Sequence, residues 1–493
     1  MALALALFLF LVQITFTAVI RLYVVPHVTP QNHWAYGLAK DSDSQVFHER
    51  AVLLADRMRL FGWRQISHEQ FEGMTHTKIL ASMYFLSRSD SPYLTYVLNA
   101  MLLAGSGVLV FALLRRVGVR GTVAAAVGAS VVTCGPMVLF AHSEVLREPF
   151  IIPALLVFVI GLLTLLEPLT PVAAVQRWTP LIAGGALVML GFAGAASFRP
   201  YLVLPLIIAL ALSAAAVIVT LATARSRSRF SLHQTVALLA LTATLVFLYV
   251  LPRGHRAQQY SDESVTGQAA LGFPSAAVVT NERGEKEIVD LDRWKMVLAA
   301  KKDKGTLTRA DFMVPHWCTV EWTRSAWLPT SLDDKLQAMA CARQDYLRFC
   351  DESLLGVRAD RGCDSKDFES AADVVRHVPR AVVFALFVPF PNMWLKSFGG
   401  GGTGLRRIGY VLDGIVDYAL LAGLVLGLWR WRRSNPEIVL GAATLVAMLT
   451  IYGLAVPTQF VLARLRLAMY MPLLALGAAG WLRWLQDRRT PVA

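Results

Sequence analysis

Long apolar runs alternate along the chain with short polar and basic joints, the pattern of helices that cross a bilayer. A spanning helix needs about 20 mostly apolar residues. Ten runs are long enough: roughly Leu3 to Ile20, Leu94 to Leu114, Val123 to Phe140, Phe150 to Leu166, Leu181 to Ala196, Leu202 to Leu221, Val236 to Leu251, Ile408 to Leu428, Ile438 to Val456 and Val461 to Trp481. An eleventh, "AVVFALFVPFPNMW" (Ala381 to Trp394), carries Pro389 and Pro391 in its second half and ends in aromatic residues, which suits an interfacial or re-entrant segment better than a span. The N-terminal run has no basic n-region and no convincing small-residue cleavage site, so it reads as a retained first span rather than a secretory signal.

Between the runs lie two large polar regions, Arg21 to about Tyr93 and about Pro252 to Arg380. The expected architecture is an all-α polytopic membrane protein in three parts: a transmembrane module with a long first external loop over 1–251 (loop 21–93), a small, mostly helical external domain over 252–380, and an interfacial segment with the last spans over 381–493. In the external domain "SLDDKLQAMACARQDYLRFCDESLL" is helix-like, with Ser331 and Asp334 spaced as a capping box.

Composition agrees with the pattern. Of 493 residues, 56% are hydrophobic and 16% charged, and the mean hydropathy is positive. The net charge of +13 raises nucleic acid as a partner. The basic residues, however, cluster at helix ends: Arg115, Arg116 and Arg120; Arg225, Arg227 and Arg229; Arg430, Arg432 and Arg433; Arg483, Arg488 and Arg489. With the N-terminus on the same side and Ala381 to Trp394 not crossing, all these runs fall on one side, which the positive-inside rule makes the cytoplasm, so membrane lipid and not nucleic acid is the expected partner. Four of the five cysteines, Cys318, Cys341, Cys350 and Cys363, lie in the external domain, where an oxidising compartment permits two disulfides; no zinc-type spacing occurs.

"KDSDSQVFHERAVLLADRM" (Lys40 to Met58) is an amphipathic helix in the first loop, with Phe47, Ala51, Leu54, Ala55 and Met58 on one face, expected to lie flat on the outer surface. Ser42 and Gln45 form a capping box, so Asp41 and Asp43 fall at the helix start, where capping and the helix dipole favour carboxylates without any catalytic role. His48, His68 and His76 have no spacing that builds a metal face and read as exposed loop histidines. The run Gly399 to Gly402 lacks the Lys-Ser/Thr of a phosphate loop and reads as a flexible link.

The span followed by a "DSxxFHxxA" helix, then "TYVLNAMLLAGSGVLVFALLRRVG", "HSEVLREPF" (His142 to Phe150), "FRPYLVLP" (Phe198 to Pro205), "PFPNMW" (Pro389 to Trp394) and "RLRLAMYMPLL" (Arg464 to Leu474) resemble membrane glycosyltransferases of the GT-C class. The similarity is closest to the bacterial protein-O-mannosyltransferase-like group, which uses dolichyl- or polyprenyl-phosphate sugars. The resemblance implies a GT-C-like bundle in the bacterial cytoplasmic membrane, with its active site facing the periplasm or exterior. It further implies inverting transfer of a sugar from a polyprenyl-phosphate carrier to a lipid-linked glycan, a polysaccharide or a protein. An acid of the first external loop serves that class as general base on the acceptor hydroxyl, and the matching position is Asp43, with Asp41 as helper or cap. The class often has an Asp-Glu pair here, whereas this chain has Asp41 and Asp43, which leaves open which of them is the base.

A lipid-phosphate leaving group needs fixed cations, and arginine pairs two phosphate oxygens at once. Arg147, Arg199, Arg464 and Arg466 sit at external ends of spans, against the positive-inside trend; snorkelling stems are the alternative reading of each. Glu144 and Glu148 could pair with Arg147, hold a divalent cation or simply start the next span, and His48 adds a polar group for the substrate. The class has metal-dependent and metal-independent members, so no cofactor is assigned and a divalent cation stays open. Two other functions use the same lipids: a transporter or flippase, and a polymerase or ligase of lipid-linked saccharides. Transporters concentrate ionisable groups at mid-bilayer; the spans here read as nearly charge-free, which favours surface chemistry.

Overall fold

The structure is a computed structural model of the chain and describes residues 1–28, 38, 43–68, 75–167, 174–199, 202–224, 231–250, 276–280, 286–290, 320, 322–348, 364, 366–391 and 404–489. Two compact units divide it. The first comprises Met1–Val246, Leu386–Leu449 and Ala463–Ala493; the second comprises Phe247–Ala385 and Thr450–Leu462.

The first unit begins with α1 (Ala2–Ala18), which runs on as a π-helical stretch over Val19–Val28. A hairpin-like group follows: α2 (Asp43–Phe61), the single turn α3 (Gln65–His68) and α4 (Thr75–Ser87). Then come α5 (Tyr93–Arg116), α6 (Thr122–Thr133), α7 (Pro136–His142), α8 (Glu148–Leu166), α9 (Ala174–Phe198), α10 (Val203–Ala224) and α11 (Leu232–Leu245). Three long helices, α14 (Gly404–Ser434), α15 (Pro436–Ala455) and α16 (Gln459–Arg489), close the chain, with residues 450–462 at the α15–α16 joint grouped in the second unit. Among the described residues nine helices are long and apolar enough to cross a membrane, or ten if the bent pair α6 and α7 is one span. The chain is therefore an all-α polytopic membrane protein in its apolar part, as its hydrophobic rhythm predicts.

Local chemistry sets the helix ends. The last turn of α5 closes through Val119 N donating to Leu114 O at 3.0 Å, with Gly118 at φ +88° supplying the left-handed residue that such a terminus needs. At α11 the Ser231 hydroxyl accepts from Gln234 N while the Gln234 side chain accepts from Ser231 N at 2.8 Å, a capping box. The same Gln234 amide donates to Leu165 O and Glu167 O at the end of α8, satisfying carbonyls that have no partner within their own helix. Close contact of α8 with α9 depends on Gly161, where a Cβ would lie 2.7 Å from Val188 N.

The expected span Val123 to Phe140 is bent by 68° between α6 and α7. Gly135 precedes Pro136 and takes an extended backbone, φ −55° and ψ 138°, and Pro136 opens α7 at its first turn. Proline disfavours helical geometry in the residue before it and cannot continue the hydrogen-bond ladder, so the break falls at this pair. Among the described residues the segment from Ala381 is not a candidate span; its helix ends at Phe387, ahead of Val388 and Pro389.

The described arginine runs collect at one end of the first unit. Arg116 pairs with Glu167, Arg430 with Asp487, and Arg483 donates to Val117 O at 3.3 Å. Gln486 and the Arg120 backbone bond one another in both directions. Glu148 and Arg464 lie at the opposite ends of two of these helices, α8 and α16.

The second unit departs from the mostly helical expectation in one place. Strands β1 (Ala276–Thr280) and β2 (Lys286–Asp290) form an antiparallel pair in register Ala276 to Asp290 and Thr280 to Lys286. Its helices are α12 (Thr330–Arg348) and α13 (Ala371–Phe387), and α12 starts one residue ahead of the expected Ser331 cap. Ala340, Phe368, Val374, Ala381 and Leu454 form a core, tied by a buried polar knot. The Arg343 guanidinium donates to Lys366 O, Leu454 O and Asp364 O and pairs with the Asp364 carboxylate at 2.9 Å. Asp364 also accepts from His377 Nε2 at 2.6 Å and pairs with Arg380 at 3.0 Å. Burial pushes the His377 imidazole below its ordinary range, with Asp364 opposing. Cys341 is disulfide-bonded and Cys134 is free, while Cys318, Cys350 and Cys363 lie outside the described residues.

Candidate functional site

Helix α2 is amphipathic as expected, but its apolar face meets protein. Ala51, Leu54, Ala55 and Met58 pack against Leu80, Ala81 and Tyr84 of α4 and against Tyr96 and Val145, with Phe47 at the edge. The face expected to lie on the membrane is thus the seam between α2 and α4, and that seam aims the first turn of α2 at the ends of the spanning helices.

At that turn Asp43 Oδ2 lies 2.7 Å from Arg464 Nη1 on α16. Arg464 Nε is 3.6 Å from Glu148 Oε1, beyond hydrogen-bond range, and has no hydrogen-bond partner. Glu148, the first residue of α8, accepts from Arg199 Nη2 at 2.5 Å, and Arg199 also donates to Leu465 O at 3.2 Å. The chain Asp43, Arg464, Glu148, Arg199 therefore links three helices, α2, α16 and α8, to the residue that follows α9. Its two ends differ in exposure: Arg464 and Asp43 are 30% and 21% exposed, whereas Arg199 and Glu148 are 4% and 3% exposed.

The next residue of α2 reaches a second network. Ser44 Oγ donates to Glu144, which pairs with the buried Arg21. Arg21 Nε donates to Ser143 O at 2.8 Å, and Asn99 of α5 donates to His142 O and Glu144 O at 3.0 and 2.8 Å. The turn between α7 and α8 is thereby held from three directions. Beside it the Arg147 guanidinium lies 4.7 Å from the centre of the Phe47 ring, a cation–π contact.

His76 extends this aromatic edge, lying T-shaped to Phe47 at 5.3 Å and to Phe150 at 5.4 Å. The ring is fully buried and neither nitrogen has a hydrogen-bond partner. Burial, aided by the Arg147 charge, holds the imidazole down at about 3. His48 is buried as well: its Nδ1 bonds the Tyr84 hydroxyl at 2.9 Å, and burial lowers its pKa. These two are not exposed loop histidines; the α2–α4 seam encloses them. The side chain of His68 lies outside the described residues.

Their folded pKa values lie below the ordinary 6.5, so the stability tied to their neutral form is complete above that pH and is lost as the pH falls toward the folded value. For His76 the loss sets in as the pH falls below about 6.5 and continues toward about 3. His76→Phe removes two unpartnered nitrogens from an aromatic niche and is expected to raise the melting temperature at pH 5 more than at pH 7.5. Equal shifts at both pH values in detergent-solubilised protein would contradict the buried neutral imidazole.

Of the expected site residues, the structure brings together Asp43, Arg464, Glu148 and Arg199, with Glu144 and Arg147 adjoining. Asp41, Ser42 and the Gly399 to Gly402 run lie outside the described residues. Glu144 and Glu148 take Arg21 and Arg199 as partners rather than Arg147. Arg466 belongs elsewhere: two residues past Arg464 it points to another side of α16, donating to Val388 O, pairing with Asp417 at 3.3 Å and lying 3.8 Å over the Tyr470 ring. Asp417 and Asp413, one turn apart on α14, are both buried, and Asp413 Oδ1 accepts from Met137 N at the start of α7 at 3.2 Å. This cluster corrects the reading of the spans as nearly charge-free. Its signal was present in "YVLDGIVDYALLAG", two carboxylates four residues apart in an apolar run. Arg21, a lone cation in "FTAVIRLYVV", was equally legible as a residue needing a buried partner.

Among the described residues no three His, Cys, Asp or Glu side chains are grouped to hold a metal ion. Compared with known proteins, the chain matches no family model, no curated protein and no solved structure.

Proposed function

We propose that the chain is an inverting membrane glycosyltransferase that takes a sugar from a polyprenyl-phosphate carrier, working at the outer face of a bacterial cytoplasmic membrane. The observation that carries this reading is the pairing of the Asp43 carboxylate with Arg464 at 2.7 Å, at the partly exposed end of an ion-pair chain that reaches Glu148 and Arg199. A base and fixed cations stand side by side where spanning helices end, the height at which a lipid phosphate meets water.

In this mechanism the phosphate oxygens of the donor compete with Asp43 for Arg464, whose fork suits two of them. Asp43, relieved of its partner, accepts the proton of the acceptor hydroxyl as that oxygen attacks the anomeric carbon. The bond from that carbon to the phosphate oxygen breaks, and its electron pair leaves on the polyprenyl phosphate, which Arg464 and Arg147 stabilise. Glu148 keeps Arg464 and Arg199 in place. Attack opposite the leaving group inverts the anomeric centre.

A transporter of lipid-linked saccharides is the second reading, favoured by the buried cluster of Asp413, Asp417 and Arg466. Purified protein in liposomes with radiolabelled polyprenyl-phosphate sugar separates the two. Label appearing in a glycan or peptide acceptor with inverted linkage supports the transferase. Label that crosses the bilayer still bound to its lipid supports the transporter.

A further inference from the structure

With one apolar face of α2 spent on α4, a second apolar set stays uncovered. Leu60 and Phe61 at the end of α2 and Leu86 at the end of α4 are 76%, 69% and 72% exposed. Trp63 is exposed beside them, its ring 5.5 Å from that of Phe85, so the set forms one patch. Leu53 continues it along α2, with Arg57 between them at helical spacing, Arg64 in the turn after Gly62 and Arg88 beyond Leu86.

The patch has a defined height. Arg59, within it, donates to Tyr84 O at 3.0 Å and pairs with Asp90 at 2.8 Å. Asp90 lies three residues before Tyr93, where the spanning helix α5 starts. The outward residues of α5, Tyr93, Leu94, Val97 and Met101, begin at that level and are exposed in the way lipid-facing residues are. The uncovered patch thus borders the lipid-facing surface at the point where a span leaves the hydrocarbon. Trp and Phe beside arginines whose stems can snorkel are the side chains that suit this layer.

We infer that the α2–α4 hairpin is seated in the interfacial layer of the bilayer through Leu60, Phe61, Trp63 and Leu86, with Arg88 beside the anionic phospholipid headgroups. Bilayer lipid, rather than a protein partner, is the occupant because the patch is level with the start of α5. Asp43 stands at the far end of the same helix, about 27 Å away for 18 residues at 1.5 Å each, so the seat also sets the position of the ion-pair chain. The inference is independent of the chemistry proposed above.

The test uses full-length protein with Cys134→Ser, reconstituted in vesicles of phosphatidylcholine and phosphatidylglycerol. Nitroxide labels are placed on Leu60→Cys or Leu86→Cys, with Leu94→Cys as the lipid reference and Asp334→Cys as the water reference. Collision with oxygen and with a water-soluble nickel chelate then reads depth. The seat predicts oxygen-rich, nickel-poor values at Leu60 and Leu86 close to those at Leu94. Values like those at Asp334 would overturn it. So would spectral broadening at these sites that vanishes on dilution with unlabelled protein, because a second copy would then cover the patch. The exposed positions tolerate substitution with little effect on folding, and the Cys134→Ser parent taken through the same labelling corrects for label elsewhere.

Discussion

Asp43→Asn is expected to reduce sugar transfer by about a hundredfold to ten-thousandfold, the usual worth of a general base, while the helices stay folded. Asparagine has nearly the same shape and can still accept a hydrogen bond from Arg464, but its amide cannot take the acceptor proton. The ion pair that is lost is partly exposed at both partners and of the kind that contributes about 1 kcal/mol or less. A change that small cannot account for so large a loss of activity, so rate and stability report different things at this residue. Arg464→Gln should act differently, weakening donor binding and raising KM, because its role is to hold the phosphate. Asp41→Asn in parallel decides which acid is the base. Transfer near the wild-type rate in Asp43→Asn would remove Asp43 from that role, and full activity in both variants would remove the first loop from the chemistry.

The spanning helices were legible because burial in lipid demands long apolar runs whatever the tertiary arrangement. The bend at Gly135 and Pro136 was legible too, since proline acts on its own neighbours, although the apolar run on both sides masked it. The partners of α2 were harder to foresee. An apolar helical face is the same sequence signal whether lipid or another helix covers it, and only the return of α4 decides between them. Ion-pair choice is less legible still. Glu144, Arg147 and Glu148 are close in sequence, yet the turn before α8 sends each acid to an arginine on a distant segment, Arg21 or Arg199. Arg464 and Arg466 divide for a simpler reason: residues two apart on a helix are about 200° apart around its axis. The strand pair at 276–280 and 286–290 followed a weak alternation in "SAAVVTNERGEKEIVD" that the charged composition of the region obscured.

Glu148 should govern folding more than chemistry. Its carboxylate and the Arg199 guanidinium are almost wholly enclosed, 2.5 Å apart, and it is also the acid nearest Arg464 Nε. Removing one partner of a buried pair leaves an uncompensated charge and costs about 3–5 kcal/mol. Glu148→Gln is therefore expected to lower the melting temperature in detergent far more than Asp43→Asn does, and to reduce the amount of folded protein in the membrane. The double variant Glu148→Gln with Arg199→Gln removes both charges and should recover much of that loss, since enclosed ion pairs replaced as a unit are often neutral in stability. Activity need not return with it, because Arg464 would still lack the carboxylate near its Nε and would keep only Asp43. If the double variant is as unstable as the single one, the cost lies in packing rather than in the unpaired guanidinium. If Glu148→Gln melts like wild type, the enclosed ion pair is not what joins α8 to residue 199 and α16.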